Sequence, residues 1–328
     1  MTFLVFKMIC VKKHFFFIFR FSSKKPGSQI ILCTDGCANV GMGSIEHGNQ
    51  AQSVKFYEDL ADYAKENGVT VNVISMEGTD CKLALLGKVA DRSNGTLSIV
   101  NPLNLSEQFK SILENRIVAT SVKAKLIVNH KYLYIRDDQL ETEESKAIEK
   151  EDHAAKEKLN EARKSVLIKD IGNANLDTEI TFEYGVRKLK GEEKKNKNAF
   201  KELPFQLQIS YTTMDGAKAT RVYTKLQEFT SERQVAEQNV QSSDLIFSNA
   251  AQKMSYQVMS SNVGAAKYRE AAMSNLQARC NFAMPDAYNC NMRVVRNISK
   301  STKAEDLNDD FAEAMYSGKK MSRNKFSK

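Results

Sequence analysis

The sequence predicts a multidomain chain of α/β plus all-β class: a partial Rossmann-like domain with a parallel sheet and flanking helices, then a β-sandwich, then a C-terminal helical hairpin. Three observations carry this. Between Ser28 and Ala119 short apolar runs alternate with segments whose apolar residues recur at helical spacing, the pattern of a parallel sheet with helical crossovers. From Thr120 to residue 230 the spacing changes to alternating apolar and polar residues, which suits antiparallel strands with one covered face. Beyond Ser231 the helical period returns.

Gln29 to Thr34 is wholly apolar after its first residue apart from the closing threonine, as expected of a strand covered on both faces. Gln50 to Asn67 places Val54, Tyr57, Leu60, Ala61 and Ala64 on one helical face, and Gly68 follows as a stop. Val69 to Met76 reads as the second strand. Asp80 is the expected N-cap of a helix bearing Leu83, Leu86, Val89 and Ala90, which runs out near Asn94-Gly95. Thr96 to Val100 is the third strand, and Asn104 with Glu107 makes a capping-box-like start for a helix carrying Phe109, Ile112, Leu113 and Ile117. Three strands are few for an open doubly wound sheet, so the domain begins in the middle of its pattern.

Six alternating segments follow, beginning at Ser121, Lys131, Ser165, Thr178, Phe205 and Ala219, with a hairpin turn through Asp215-Gly216. A charge-dense insertion near 137–164 and a polar loop, "KGEEKKNKN", separate them; both read as solvated. Ser231 with Gln234 opens a helix carrying Val235, Val240, Phe247, Ala250, Met254 and Val258. A break at Asn262 to Gly264 leads to a second helix on Tyr268, Ala272 and Leu276, and the pair is expected to pack on the sandwich. The expected boundaries are 1–23, an N-terminal segment outside the fold; 24–119, the partial α/β domain; 120–230, the sandwich; 231–285, the helical region; and 286–328, a basic tail.

The chain of 328 residues carries a formal charge of +8. Six basic residues lie in 1–25 and five in 317–328, with no acid in either, so the ends hold +11 and the body between them −3. That distribution excludes a nucleic-acid-binding face, which would cluster Lys and Arg with aromatics on a folded element; weak attraction of the tails to an anionic membrane is the remaining expectation. The first 23 residues are apolar and aromatic but are interrupted by Lys7, Lys12, Lys13 and Arg20, leaving no run of the roughly 20 residues a bilayer requires. Cys10, Cys33, Cys37, Cys81, Cys280 and Cys290 form no CxxC pair, which points to a reducing, cytoplasmic setting and away from a zinc site. Cys33, inside the first strand, reads as a small core residue rather than a redox group. None of His47, His130 and His153 lies in a recognisable catalytic motif, and no enzyme activity is expected.

The candidate chemistry sits at "IILCTDGCANVGMG", residues 30–43. Asp35 closes a parallel strand, the end at which α/β proteins place ligands, and its hard oxygen, with the hydroxyls of Thr34 and Ser44 nearby in sequence, suits Mg²⁺ or Ca²⁺. One carboxylate does not complete such a site, so no cofactor is expected. This stretch resembles the fourth-strand motif of the von Willebrand factor type A domain, and "GVTVNVISMEGTDCKLALLGKVADRSNGTLSIV" resembles the strand, helix and strand that follow it in that family. The resemblance implies that Asp35 is the third element of a metal-ion-dependent adhesion site; the other elements should precede it, and nothing in residues 1–27 supplies them. A type A half, then "LPFQLQISYTTMDGAKATRVYTKLQEFT", then helices opening with "SERQVAEQ" is similar to the order of trunk, β-sandwich and helices in COPII inner-coat subunits. It is similar also to the coat-like region attached to circularly permuted Ras proteins, although no GxxxxGK[ST] run occurs here. The resemblance implies a protein-interaction or scaffold module that binds other proteins in vesicle trafficking. A type A domain binding its ligand through a divalent metal at Asp35 is the alternative.

Overall fold

The computed structural model describes residues 27–38, 43–44, 50–136, 164–187, 202–230, 232, 234–235, 243–280 and 283–322. Segment 1–23, nearly all of the charged insertion, the "KGEEKKNKN" loop and Val240 lie outside the described residues.

The first unit is a parallel sheet of β1 (Gln29–Thr34), β2 (Thr70–Met76) and β3 (Leu97–Val100), in the order β1-β2-β3. Every residue of β1 is buried, because both of its faces are covered. Ile30, Leu32, Val71, Val73 and Leu97 pack on α1 (Gln50–Glu66) and α2 (Leu83–Arg92). Ile31, Cys33, Ile74 and Val100 face the opposite way, against Ile112, Phe109 and Leu113 of α3 (Leu105–Glu114). Ile117, expected at the end of that helix, instead opens β4 (Ile117–Val128).

The second unit is antiparallel. β4, β6 (Val166–Asn175), β8 (Glu202–Thr212) and β9 (Lys218–Glu228) form a sheet in the order β6-β4-β8-β9, and β5 (Leu133–Ile135) pairs with β7 (Tyr184–Val186) in a smaller one. The strand expected from Thr178 is thus reduced to its last three residues. Because β5 and β7 are short, the shared core collects at one end of the larger sheet, around Leu126, Val128, Leu133, Ile135 and Leu203. Tyr184, Phe205 and Phe229 add a three-ring cluster there, with Tyr184 set edge-on to Phe205 at 4.9 Å between centroids.

Four helices complete the described fold: α4 (Ser243–Met259), α5 (Val263–Cys280), α6 (Asp286–Asn297) and α7 (Asp309–Lys319). Two expectations are corrected here. The segment 286–328 is not simply a basic tail, since its residues up to Ser322 form α6, α7 and their connections, with Tyr288, Met292, Val295, Met315 and Tyr316 buried. The helices also build chiefly on α2 of the first unit rather than on the sandwich: Phe247, Met254, Met315 and Tyr316 join Leu83, Leu86 and the sheet residues in one apolar core. On α5 the buried positions are Val263, Ala266 and Met273; of the predicted stripe Leu276 packs against the core, whereas Ala272 is exposed and Tyr268 is 80% exposed.

Two glycines permit this layering. A Cβ on Gly87 of α2 would lie 2.1 Å from the Tyr316 ring, and one on Gly318 would lie 2.1 Å from both Asn291 Nδ2 and Ser255 Oγ. Each is a point where one helix meets the side chains of another with no room for a methyl group.

The sandwich is joined to the rest by polar contacts. Asn173 of β6 donates to the Gly68 carbonyl at 2.8 Å and to Thr70 Oγ1 at 2.9 Å, and its own carbonyl accepts from Asn94 Nδ2. At the other joint Glu183, just before β7, meets Lys253 of α4 at 2.8 Å, Arg269 of α5 at 3.1 Å and Arg136 at 3.4 Å. Burial alone would raise the Glu183 pKa, but Lys253, Arg269 and Arg136 together hold it below the usual carboxylate value.

Two outcomes follow. Gly87→Ala gains helix propensity of about 1 kcal/mol but forces the Tyr316 ring out and disturbs its hydroxyl bond to the Ala84 carbonyl, so a net loss of about 2 kcal/mol in urea unfolding is expected. Glu183 has a folded pKa below its unfolded value, so its contribution is present above pH of about 4.3 and disappears as pH falls through the folded value. Glu183→Gln should therefore cost roughly 2 kcal/mol at pH 7 in chemical denaturation, and the gap to wild type should narrow below about pH 4.

Candidate functional site

The carboxyl ends of β1 and β2 define the site that the sequence singles out. Thr34 closes β1 and is buried; its hydroxyl donates to the Gly36 carbonyl at 2.7 Å, a tight local turn that sends the chain outward. Asp35 follows immediately and is exposed. Farther along this loop, Tyr57 of α1 donates to the Gly43 carbonyl at 2.9 Å, and Ser53 donates to the Ser44 carbonyl at 2.6 Å. Burial, with a smaller contribution from Cys37, pushes the Tyr57 phenol well above its usual range, so it stays protonated and donates. The turn after β1 is linked to the turn after β2 by Cys37 Sγ, which donates to the Asp80 carbonyl at 3.1 Å.

The expected N-cap, Asp80, does not cap α2. Its carboxylate instead pairs with Lys82 at 2.9 Å, and that hydrogen bond holds its pKa below the usual value. Lys82 takes the N-cap position in the left-handed region, φ 54°, without a side-chain cap. The orphan N–H groups are met from far away: Asp309, at the start of α7, accepts from Cys81 N with Oδ2 and from Leu83 N with Oδ1, both at 2.7 Å. A helix N-terminus beside the carboxyl ends of parallel strands is where an α/β protein would hold an anion. Here the chain's own carboxylate holds that position. Asn104 likewise makes no side-chain cap to α3; Asn101 caps the 3₁₀ turn before it instead.

Among the described residues the geometry brings no set of further metal ligands to Asp35. The Thr34 hydroxyl is committed to its own turn, Asp35 is exposed, and among the described residues no group of three or more His, Cys, Asp or Glu side chains converges on a metal position. Cys33 lies in the apolar core beneath α3, and burial raises its thiol pKa. Cys81 is fully buried beside the hydroxyls of Ser75 and Thr79, at 3.2 and 3.4 Å.

A second concavity escaped sequence reasoning. At the amino ends of the parallel strands, a cleft of about 360 Å³ lies between the sheet, β6 and the end of α7. Its wall includes Gln29, Thr70, Asn72, Thr96, Gln108 and Asn173. The Asn173 Oδ1 atom is buried without a hydrogen-bond partner. Polar residues at starts of otherwise apolar strands were the available signal, but their convergence with Asn173 depends on strand packing.

The architecture is a three-stranded α/β sheet with its helices, an antiparallel β-unit and a helical layer, and its likeness to a COPII-coat protein is one of fold. The crystal structure of the human COPII-coat protein Sec24c superposes with a TM-score of 0.56 at 13% identity, over 90% of this chain and 39% of that one. In sequence the chain is 27% identical over 261 residues to Circularly permutated Ras protein 1 of Dictyostelium discoideum, which covers 79% of this chain and 28% of that protein. The chain thus spans well under half the length of either. No family model matches it, including one for the type A domain. Among the described residues no helix is long and apolar enough to cross a membrane.

The site yields one expected outcome. Titration calorimetry with Mg²⁺ or Ca²⁺ at millimolar concentration should give no saturable heat for wild type, and Asp35→Ala should be indistinguishable from it. Saturable binding lost on substitution would restore the adhesion-site reading.

Proposed function

We propose that the chain is a non-enzymatic protein-interaction or scaffold module of the type A and COPII-coat-like class, acting in vesicle trafficking. The observation that carries this reading is the continuous core shared by the α/β half-sheet and the C-terminal helices, with the sandwich joined at polar seams. The fold likeness to Sec24c and the partial sequence likeness to the Dictyostelium protein support it. Asp309 in the position of an anionic ligand also favours a structural role for the carboxyl end of the sheet. On this reading the partners are proteins rather than nucleic acids, no cofactor is required, and the chain works in the cytoplasm, held peripherally at membranes by its partners.

Lys319 and Lys320 contribute to packing rather than to a free basic tail: Lys319 pairs with Asp91, and Lys320 donates to the carbonyls of Ala90 and Gly95. Affinity purification of the tagged chain from native cytosol after mild crosslinking tests the proposal. Membrane-trafficking proteins should co-purify in defined stoichiometry, and Asp35→Ala should retain them. Recovery of the chain alone, or turnover of nucleotide or ester substrates by the pure protein, would overturn the reading.

A further inference from the structure

The geometry points to the outer edge of β9 as a strand-addition site for an acidic, extended segment of a partner protein. β9 is the last strand of its sheet, and its eleven residues pair with β8 in unbroken register, Lys218 opposite Thr212 through Glu228 opposite Glu202. Alternate residues of such a strand direct their N–H and C=O groups away from the sheet, and among the described residues no further strand pairs with them. Natural edges are usually blunted by bulges, proline or charged side chains, lysine above all. β9 contains no proline and no register shift; its protection is the charge of Lys218, Arg221 and Lys225, which repels basic or like strands and which an acidic strand would neutralise. Two other edges differ: β6, at the far side of the same sheet, pairs through several register shifts and is engaged by the α/β unit through Asn173 and Asp170. On β3, the Ile99 N–H is taken by Glu313 at 2.7 Å.

The side chains say which strand would fit. Successive residues of β9 alternate between the two faces. Arg221, Tyr223 and Lys225 share one face, where Tyr223 is 64% exposed between the two cations. Val222 and Leu226 share the other and are 58% and 61% exposed. Lys218, Arg221 and Lys225 are exposed and form no ion pair among the described residues, while Glu228 is the single acid of the strand. A segment laid along this edge would place acids opposite Arg221 and Lys225, an aromatic or apolar residue opposite Tyr223, and apolar residues opposite Val222 and Leu226. A second copy of β9 paired symmetrically about Tyr223 suits the edge poorly. Antiparallel pairing centred on Tyr223 would set Arg221 of each copy against Lys225 of the other, and like charges directly opposite are unfavourable.

This inference rests on the protein-interaction reading above and names a surface and a partner chemistry for it. The test uses the full chain and a fluorescein-labelled peptide alternating glutamate with valine around a central tyrosine. Its controls are a scrambled peptide of the same composition and a lysine-for-glutamate counterpart. Anisotropy should show saturable binding of the acidic alternating peptide alone, weakened by added salt. Arg221→Glu with Lys225→Glu, both at exposed positions and checked by circular dichroism for an intact fold, should weaken binding roughly tenfold or more and transfer the preference to the lysine peptide. Val222→Pro removes one N–H of the strand and should abolish binding of both peptides. Equal binding of the alternating and scrambled peptides, or none, overturns the inference. So does a dimer in sedimentation that Arg221→Glu strengthens or breaks, which would assign the edge to a second copy, or binding only to phosphatidylserine vesicles, which would assign it to a membrane. If partners still co-purify from cytosol with the charge-reversed variant, the strand-edge inference alone fails and the scaffold reading stands.

Discussion

Helix α2 is the constraint on which the rest of the molecule depends. It lies between the parallel sheet and the C-terminal helices, with Leu83, Ala84, Leu85, Leu86, Gly87, Val89 and Ala90 all buried. A helix enclosed on two sides has little water for its terminal groups. At its carboxyl end the following turn meets Val89, Ala90 and Asp91 through the N–H groups of Ser93, Gly95 and Asn94, and Lys320, just after α7, adds bonds to the carbonyls of Ala90 and Gly95. At its amino end Asp309 of α7 receives the N–H groups of Leu83 and of Cys81 just before the helix. Negative charge thus sits at the positive end of the helix dipole and positive charge at the negative end. Tyr316 bonds to the Ala84 carbonyl between them, over the space that Gly87 leaves.

This clamp has consequences for the whole. A three-stranded sheet with its own helices buries a modest core, and here that core is continuous with the residues of α4 to α7. The half-sheet and the C-terminal helices therefore form one body, and the same clamp decides the chemistry of the sheet's carboxyl end. The sandwich is attached differently, through the amides of Asn94 and Asn173 and the charges around Glu183. Its small second sheet leaves the β8–β9 hairpin projecting beyond the core, with β9 exposed along nearly its whole length.

Much of the fold was legible because its signals are local. The apolar runs at 29–34, 70–76 and 97–100 and the helical spacing of Tyr57, Leu60, Ala61 and Ala64 mark elements wherever they come to rest. The caps were less legible. Asp80 and Asn104 have favourable residue types at favourable positions, yet both lost the role to groups that tertiary packing or a tighter turn brought closer. The "LALLGKVA" run held an unused signal, since apolar residues all round a helix require a layer on each side. On α5 the spacing of Tyr268, Ala272 and Leu276 satisfied the helical period equally well, and only contact with α4 and α6 selected Val263, Ala266 and Met273. The basic end misled because charge counting ignores partners: Lys319 pairs with Asp91, and Lys320 donates to the carbonyls of Ala90 and Gly95.

By itself the sequence determined the order of units, the place of Asp35 directly after the first strand, and the alternation that gives β9 its two distinct faces. Each follows from periods of two or 3.6 residues and from residue types within a few positions of one another. Only the tertiary structure decided that Asp309 caps α2, that the C-terminal helices complete the core of the parallel sheet, and that β9 is the last strand of its sheet among the described residues. Those outcomes depend on groups more than two hundred positions apart, or on which strand happens to be last in a sheet. No local pattern encodes either, because both are settled by which surfaces remain to be covered once the layers have packed.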